Sequence, residues 1–178
     1  MSNLEKRIEI LTKVVLRNVL KRLTAEILEK IDKPQNLILM GIPTRGVNLS
    51  EVIALEIQKK IGYEVEKGII DPTFYRDDQS KVGTKSRKGD SIPSSLDEKE
   101  IILIDDVIYT GRTARAAMEA LNFWGRPKKV KLLTMIDRGH RELPIQPDFC
   151  GKQVLTNKDQ NILLRLKSLD EIEGVFLV

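Results

Sequence analysis

The chain has 178 residues, of which 41% are hydrophobic and 31% are charged, and its formal net charge is +4. This length and composition are typical of one globular domain, and no apolar run approaches the ~18 residues of a membrane span. The chain has one cysteine, which excludes an internal disulfide. It also has only one histidine, and with so few potential ligands a structural zinc site is not expected. The N-terminal residues lack a signal peptide's apolar core, so we expect a cytoplasmic protein. The positive charge favours anionic partners only mildly.

The first long element is a predicted helix from Lys13 to Lys30, preceded by a short strand at residues 7–11. Thr12 is its candidate N-cap. Apolar residues recur every three or four positions and predict one buried face: Leu16, Leu20, Leu23 and Ile27. Another face carries like charges four positions apart: Lys13, Arg17 and Lys21. Two interpretations of this face stay open, a solvated surface or a surface that meets a polyanion.

The chain then alternates between strand and helix patterns. We predict strands at residues 37–40, 65–71, 101–104 and 130–136, helices at 47–61 and 112–124, and late strands at 162–166 and 174–178. The helix at 47–61 is expected to end at Gly62 and to direct these residues to the core: Leu49, Val52, Ile53, Leu55 and Ile57. Residues 75–93 are polar and predict a mobile loop, which at this length is more often functional than idle. The alternation predicts an α/β fold whose central, mostly parallel sheet is flanked by helices.

The stretch from Ile101 to Thr113 carries the most chemical information. A buried apolar strand runs into Asp105 and Asp106, and Thr110-Gly111-Arg112-Thr113 then leads into the next helix. In such sheets ligands bind at the carboxyl ends of strands, and phosphates bind where a helix N-terminus offers unpaired N–H groups. Gly111 permits a backbone concavity, and carboxylates beside it suit the vicinal hydroxyls of a sugar. These residues indicate a ribose 5-phosphate site. The alternative is that one acid caps the turn while the other faces water.

This stretch resembles the 5-phosphoribosyl diphosphate (PRPP) motif of type I phosphoribosyltransferases. The resemblance implies that Asp105 and Asp106 hold the ribose hydroxyls. The residues implied to bind the 5-phosphate of PRPP are Thr110, Gly111, Arg112 and Thr113, with Tyr109 beside them in the PRPP site. One β–α unit earlier, residues 41–46 (Gly-Ile-Pro-Thr-Arg-Gly) resemble the pyrophosphate loop of the same enzymes. There the implied ligand-binding residues are Thr44, Arg45 and Gly46, and a plain strand-to-helix connection is the alternative. Arg45, Asp105 and Asp106 would form the catalytic set.

Further segments narrow the resemblance to one family. Residues 71–78, 125–127 and 137–144 are similar to those of the PyrR family, the bifunctional pyrimidine operon attenuation regulators and uracil phosphoribosyltransferases. The similarity covers about residue 12 to the C-terminus. It implies a small hood over the base at residues 137–152, and the hood residues expected at the base are Asp137, Arg138 and His140. It also implies a lid in the loop at residues 75–93, and the lid residues expected at its base are Tyr75, Arg76 and Asp77.

The resemblance implies transfer of a 5-phosphoribosyl group from PRPP to uracil, which gives UMP and pyrophosphate. Mg²⁺ would be bound mainly through PRPP oxygens and water rather than through protein side chains, as this ion prefers. The protein would position the reactants, neutralise the leaving pyrophosphate and exclude water. A homodimer or a dimer of dimers is the assembly that the family implies.

The resemblance also implies a second role, in which the protein binds pyrimidine operon leader mRNA and UMP or UTP strengthens the complex. The basic residues expected to contact RNA phosphates are Lys13, Arg17, Lys21, Arg22, Arg141 and Lys152. Lys21 and Ala25 stand where the RNA-binding pattern has Thr and His, and Gln146 stands where it has Arg. RNA binding therefore stays open, and two alternatives remain. One is a regulator that senses UMP or UTP with negligible turnover, and the other is a phosphoribosyltransferase for another base without an RNA role.

Overall fold

The structure is a computed structural model, and it describes residues 7–75, 89–167 and 170–178. Its helices are α1 (Lys13–Lys30), α2 (Arg45–Ile61) and α3 (Arg112–Trp124). Its strands are β1 (Ile8–Thr12), β2 (Leu37–Gly41), β3 (Glu66–Ile69), β4 (Glu100–Ile108), β5 (Lys129–Asp137), β6 (Phe149–Gln153), β7 (Ile162–Arg165) and β8 (Gly174–Leu177). Short 3₁₀ turns cover Pro34–Asn36 and Pro72–Tyr75.

Five parallel strands form the central sheet in the order β3-β2-β4-β5-β6, which places β4 in the middle. Successive residues of a strand project to opposite faces, and here both faces are apolar. On one face Leu37 and Leu39 share a buried cluster with residues of α1 and α2. On the other face Ile38 and Met40 share a cluster with residues of α3. The predicted α/β fold, with helices on both faces of a parallel sheet, is confirmed.

The first helix has the predicted bounds. Its N-cap is Thr12, whose Oγ1 accepts a hydrogen bond of 3.3 Å from the backbone N–H of Val15. The predicted apolar stripe is buried: Leu16, Leu20, Leu23 and Ile27. The described part of the chain contains no helix that is long and apolar enough to cross a membrane.

A second, antiparallel sheet has the order β1-β8-β7 and brings the two ends of the chain together. In this sheet Ile8 lies opposite Leu177, and Ile162 lies opposite the same residue on the other side. Strand patterns near both ends are visible in the sequence. Their pairing is not, because partners from opposite ends of a chain leave no local signal.

The structure corrects two boundaries that bear on the site. β4 does not stop at Ile104 but continues through both acids to Ile108, since Asp105 stays in register with Thr134 and Ile108 with Asp137 of β5. α2 begins at Arg45 rather than two residues later. The predicted pyrophosphate loop therefore ends in the first turn of a helix.

Two other predictions were wrong. Leu55 was expected in the core but is 54% exposed, because it lies about 200° around α2 from the buried Ile53. In the sequence, Pro144, Pro147 and Gly151 predict an irregular segment, but residues 149–153 form β6. A Cβ at Gly151 would lie 2.3 Å from the carbonyl oxygen of Met135 in β5. The glycine therefore permits close packing of neighbouring strands instead of breaking a strand.

Candidate functional site

A cavity of about 370 Å³ lies at the carboxyl end of β4, where the chain turns into α3. Residues 107–114 line it, together with Asp105 and Glu142. The structure therefore brings together the predicted phosphate-binding residues from Tyr109 to Thr113. Glu142 was not predicted as a site residue; its Oε2 accepts a hydrogen bond of 2.8 Å from Nε of Arg112.

The N-terminus of α3 opens into this cavity because of Gly111. This glycine has φ +92°, in the left-handed region, and it is the residue from which the helix starts. A Cβ at this position would also approach Ile145 to 3.4 Å. Thr110 holds the loop in place: its Oγ1 accepts from the N–H of Arg112 at 3.4 Å, and its carbonyl accepts from the N–H of Glu142 at 3.0 Å. The positive end of a helix dipole and its first N–H groups favour a bound anion.

The two acids lie inside β4 and differ in their surroundings. Asp105 is 9% exposed and lines the cavity, whereas Asp106 is half-buried. Oδ1 of Asp105 accepts a hydrogen bond of 2.9 Å from the backbone N–H of Asp106. Neighbouring strand residues project to opposite faces. The negative charge of Asp106 also contributes to raising the pKa of Arg45, although less than Asp170 does. Asp105 therefore lies at the phosphate cavity, and the charge of Asp106 acts on Arg45 at the start of α2.

The predicted pyrophosphate loop packs tightly against the sheet. A Cβ at Gly46 would lie 2.2 Å from the carbonyl oxygen of Ile104, and one at Gly41 would lie 2.5 Å from the Cα of Val47. The two glycines therefore let the first turn of α2 approach the ends of β2 and β4. The peptide bond between Pro43 and Thr44 is cis. Thr44 precedes the helix and is exposed, with no side-chain capping hydrogen bond.

Arg45 does not project freely into solvent. Its guanidinium forms a two-pronged ion pair with Asp170, in which Nη2 lies 3.0 Å from Oδ1 and Nη1 contacts Oδ2. The hydrogen bond to Asp170 is the main cause of the raised pKa of Arg45. The same hydrogen bond holds the pKa of Asp170 far below its usual range. Sequence reasoning missed Asp170, because nothing near it in the chain resembles a site.

The segment after β5 is organised by Arg141. Its guanidinium lies 2.7 Å from Oδ2 of Asp137 and donates to the carbonyl oxygens of Tyr109, at 2.9 Å, and Ile145, at 2.8 Å. The side chain is only 13% exposed. Arg141 was predicted to contact RNA phosphates, which stays a prediction; in the structure its guanidinium donates to groups of its own chain, among them Asp137, Tyr109 and Ile145. It joins the predicted hood to the phosphate loop.

The predicted base-binding residues surround the ring of Tyr109. The guanidinium of Arg138 lies 4.3 Å from the centre of that ring, and the His140 ring meets it edge-on at 5.5 Å. Arg138 is buried and donates to Oγ1 of Thr156 at 3.1 Å, and Nε2 of His140 lies 2.6 Å from the carbonyl oxygen of Thr156. Asp137 accepts from the N–H of Gly139 at 2.9 Å as well as from Arg141. The contribution of Thr156 was not visible in the sequence.

Of the predicted lid residues, the structure describes Tyr75, while Arg76 and Asp77 lie outside the described residues. The carbonyl oxygen of Tyr75 accepts a hydrogen bond of 2.8 Å from Arg115 of α3. Where the description resumes, Asp90 accepts from the backbone N–H of Asp71 at 2.7 Å and from Nε1 of Trp124 at 2.8 Å. Both ends of the predicted loop are therefore attached to the body of the domain.

The remaining residues predicted to bind RNA are all exposed, but some of them also contact other groups of the protein. Arg17 pairs with Glu173 at 3.0 Å, and the amino group of Lys13 lies 3.9 Å from the same carboxylate. Arg22 donates to the carbonyl oxygen of Gly151 at 2.6 Å on the edge strand β6. Lys21 and Lys152 are exposed. Only part of the predicted basic surface is thus presented to solvent without such contacts from the protein.

A metal site built from protein side chains was not predicted. Among residues 7–75, 89–167 and 170–178, no three His, Cys, Asp or Glu side chains come together in a way that could hold a metal ion.

Known proteins that are similar to this chain indicate its family. The family described as Phosphoribosyl transferase domain matches residues 9–168. A Bifunctional protein PyrR of Microcystis aeruginosa is 46% identical over 171 residues, which cover 96% of this chain and 97% of the relative. A Bifunctional protein PyrR of Latilactobacillus sakei is 42% identical over 170 residues, which cover 94% and 95%.

Solved structures share the fold at lower identity. A hypoxanthine-guanine phosphoribosyltransferase of Bacillus anthracis superposes with a TM-score of 0.70 at 17% identity, over 96% of each chain. A hypoxanthine phosphoribosyltransferase of Trypanosoma cruzi gives 0.74 at 14% identity, over 96% of this chain and 94% of that one. These two similarities establish the type of fold and nothing about the substrate.

Proposed function

This chain belongs to the phosphoribosyl transferase domain family and, within it, to the bifunctional PyrR proteins, and we propose that it transfers a 5-phosphoribosyl group from PRPP to uracil. The observation that carries this proposal is the cavity at the N-terminus of α3, with Asp105 on its wall and Asp106 beside it. A phosphate group in that cavity would be close to carboxylates that accept hydrogen bonds from ribose hydroxyls.

In the proposed reaction, a ring nitrogen of uracil forms a bond to the anomeric carbon of the ribose. The bond from that carbon to the diphosphate oxygen breaks, and pyrophosphate leaves with the electron pair. The uracil N–H proton passes to solvent. The transition state is loose and cationic at the ribose, so the protein contributes mainly position and charge. Asp105 and Asp106 would orient the ribose, and Arg45 would neutralise charge on the departing pyrophosphate.

Mg²⁺ would accompany PRPP in this proposal. The ion prefers oxygen ligands and keeps several waters, so the diphosphate oxygens of PRPP supply suitable ligands without a dedicated cage of protein side chains. When bound, the ion would supply positive charge to the leaving group. Asp105 and Asp106 offer carboxylate oxygens close to that position, and these would hold ribose hydroxyls or metal-bound water.

The uracil ring would lie beside the hood segment that follows β5. Tyr109 offers an aromatic face and edge there, and Arg138 and His140 hold it in place. A small, neutral base is recognised when its two carbonyls and ring N–H are all satisfied by hydrogen bonds. We assign these hydrogen bonds to polar groups of the hood, residues 137–152.

Turnover is tested by mixing the purified protein with Mg²⁺, PRPP and uracil and following both pyrophosphate and UMP. We expect stoichiometric formation of the two products with uracil, and rates at least tenfold lower with hypoxanthine or guanine, as for a site that leaves polar groups of the wrong base unpaired. Tight UMP binding without turnover would instead establish the nucleotide sensor. A preference for a purine would establish a transferase for another base.

The second activity that we propose is binding of pyrimidine operon leader mRNA in the cytoplasm, by a homodimer or a dimer of dimers. The exposed residues Lys21 and Lys152 support it, since lysines at the surface can contact phosphates. We expect Lys21→Glu to weaken the RNA complex in a gel shift with UMP present, without changing turnover. Lys60→Glu is the matched control, because Lys60 is equally exposed at the end of α2. Absence of any wild-type complex would contradict this second activity.

A further inference from the structure

An ion-pair cluster joins the start of α2 to the segment between β7 and β8. It consists of Arg45, Arg165 and Asp170, and the carboxylate at its centre is only 7% exposed. Oδ1 of Asp170 lies 3.0 Å from Nη2 of Arg45 and 2.8 Å from Nη1 of Arg165. Oδ2 contacts the other Nη of Arg45 and accepts from the backbone N–H of Leu166 at 2.9 Å. Both oxygens of this buried carboxylate are therefore used twice.

The carboxylate of Asp170 has other partners besides Arg45. Arg165 already supplies a neutralising positive charge, and the N–H of Leu166 supplies a further hydrogen bond. The contact fixes the orientation of the Arg45 guanidinium, because two parallel N–H···O bonds define the plane of such a group. An arginine has five N–H donors, so several remain for another anion after this contact is made.

Arg45 also lies near a second acid, Asp106, because a Cβ at the next residue, Gly46, would lie 3.2 Å from the Cα of Asp105. Asp106 is close enough for its charge to raise the pKa of Arg45, yet the two side chains are not hydrogen-bonded partners in the way that Arg45 and Asp170 are. Without Asp170, the flexible side chain of Arg45 would be free to turn toward Asp106. An ion pair of that kind would occupy the carboxylate assigned to the ribose hydroxyls and would remove the cation assigned to the pyrophosphate.

We propose that Asp170 is a positioning residue, which holds the guanidinium of Arg45 at the start of α2 with its remaining donors available to the diphosphate of PRPP. The contact keeps Arg45 away from Asp106 before the substrate binds. This proposal rests on the proposed phosphoribosyl transfer and gives Asp170, which follows β7 in the chain, a supporting role in that reaction. Asp170 itself touches neither the substrate nor the reacting atoms.

The test is Asp170→Asn, which keeps the size of the side chain and removes its charge. Calorimetric titration should show Mg²⁺–PRPP bound about tenfold more weakly, the equivalent of one charge-assisted hydrogen bond, while UMP affinity stays within about twofold. UMP is the matched ligand because it carries the ribose 5-phosphate but no pyrophosphate. In steady-state kinetics the KM for PRPP should rise while the KM for uracil does not.

Arg165→Lys is the matched protein control. It keeps the charge, disturbs the same carboxylate and leaves the contact between Asp170 and Arg45 possible, so its PRPP affinity should stay close to that of the wild type. Equal losses in the two variants, or equal losses of PRPP and UMP affinity in Asp170→Asn, would assign Asp170 a purely structural role. Wild-type PRPP affinity in Asp170→Asn would also overturn the proposal. If the wild-type protein binds no PRPP, both this proposal and the proposed transfer fail.

Discussion

Two helix N-termini face the carboxyl edge of the central sheet, and they are prepared for anions in different ways. α3 starts at a left-handed Gly111 and offers backbone N–H groups to a cavity formed by adjacent residues in the sequence. α2 starts at Arg45 and offers a charged side chain that is held by Asp170 near the other end of the chain. The first terminus offers backbone groups, and the second offers a side chain that is held by a contact with a distant segment.

This difference suits two different tasks. In the proposed reaction the 5-phosphate stays on the ribose throughout, so a rigid backbone site that binds it equally at every stage is sufficient. The diphosphate, by contrast, gains charge as it leaves. A cation held in advance at that position stabilises the developing charge without reorganising in the transition state. This difference between the two helix termini predicts which variants weaken the binding of all ligands and which weaken only the binding of ligands with a diphosphate.

The largest effect is expected when the support of the α3 loop is removed. Arg141→Met removes the charged partner of the nearly buried Asp137 carboxylate and the arginine donor to the carbonyl of Tyr109. We expect the free energy of unfolding to fall by about 3 kcal/mol, as when one member of a buried ion pair is deleted. Urea denaturation measures this loss. A fall of less than about 1 kcal/mol, the value typical of exposed ion pairs, would mean that Arg141 is not the structural centre of the hood.

The next effect concerns the glycine at the start of α3. Gly111→Ala places a Cβ on a left-handed residue and should reduce UMP affinity about 100-fold, because the loop can no longer present its N–H groups to the phosphate. Gly62→Ala is the control: Gly62 has φ +81° with open space around it, at the end of α2. Both variants should lose similar stability in thermal unfolding. If Gly62→Ala weakened UMP binding as much, the effect would not belong to the phosphate loop.

A smaller loss is expected for Asp106→Asn, which removes one charge from the acid pair. Hydrogen bonds from ribose hydroxyls to a charged carboxylate are stronger than those to an amide, so turnover with PRPP should fall about 30-fold. The circular dichroism spectrum and the melting temperature should not change, because Asp106 is only half-buried. Unchanged kinetics would remove Asp106 from the ribose site.

The smallest expected effect is on the free energy of unfolding and its dependence on pH, and it arises from the ion pair at the start of α2. The pKa of Asp170 is well below its usual range in the folded protein, mainly through its hydrogen bond to Arg45. The stabilisation is therefore complete above the unfolded pKa of about 4 and is lost as the pH falls through the folded pKa. Asp170→Asn should lower the free energy of unfolding by about 1 kcal/mol at pH 7, given that Arg45 is partly exposed.

The difference in the free energy of unfolding between the wild type and Asp170→Asn should become smaller as the pH is lowered from about 4. Urea titrations at several pH values measure this difference. Asp32→Asn is the control, because the Asp32 side chain is 75% exposed beside Lys129. It should leave the unfolding midpoint unchanged at each pH. A difference between wild type and Asp170→Asn that is independent of pH would contradict the role of this charge.

Features that depend on neighbouring residues could be predicted from the sequence. The apolar period of α1 and its cap at Thr12, the parallel sheet and the loop at Gly111 all follow from local patterns, and the structure agrees with them. The contact of Arg45 with Asp170 and the pairing of β1 with β8 could not, because they join residues far apart in the chain. The contacts of Arg141 could not be predicted, since a basic residue in a polar segment carries no sign that it donates to carbonyl groups of its own chain.

The contrast between the two helix termini is tested most directly by titrating Arg45→Met with UMP and with Mg²⁺–PRPP. In the proposed reaction, UMP would use only the α3 terminus, whereas PRPP would use both. We expect UMP affinity to stay within about twofold of the wild type and PRPP affinity to fall about 30-fold, the loss of one arginine–phosphate contact. Equal weakening of both ligands, or no weakening of PRPP, would show that the diphosphate does not bind at the start of α2.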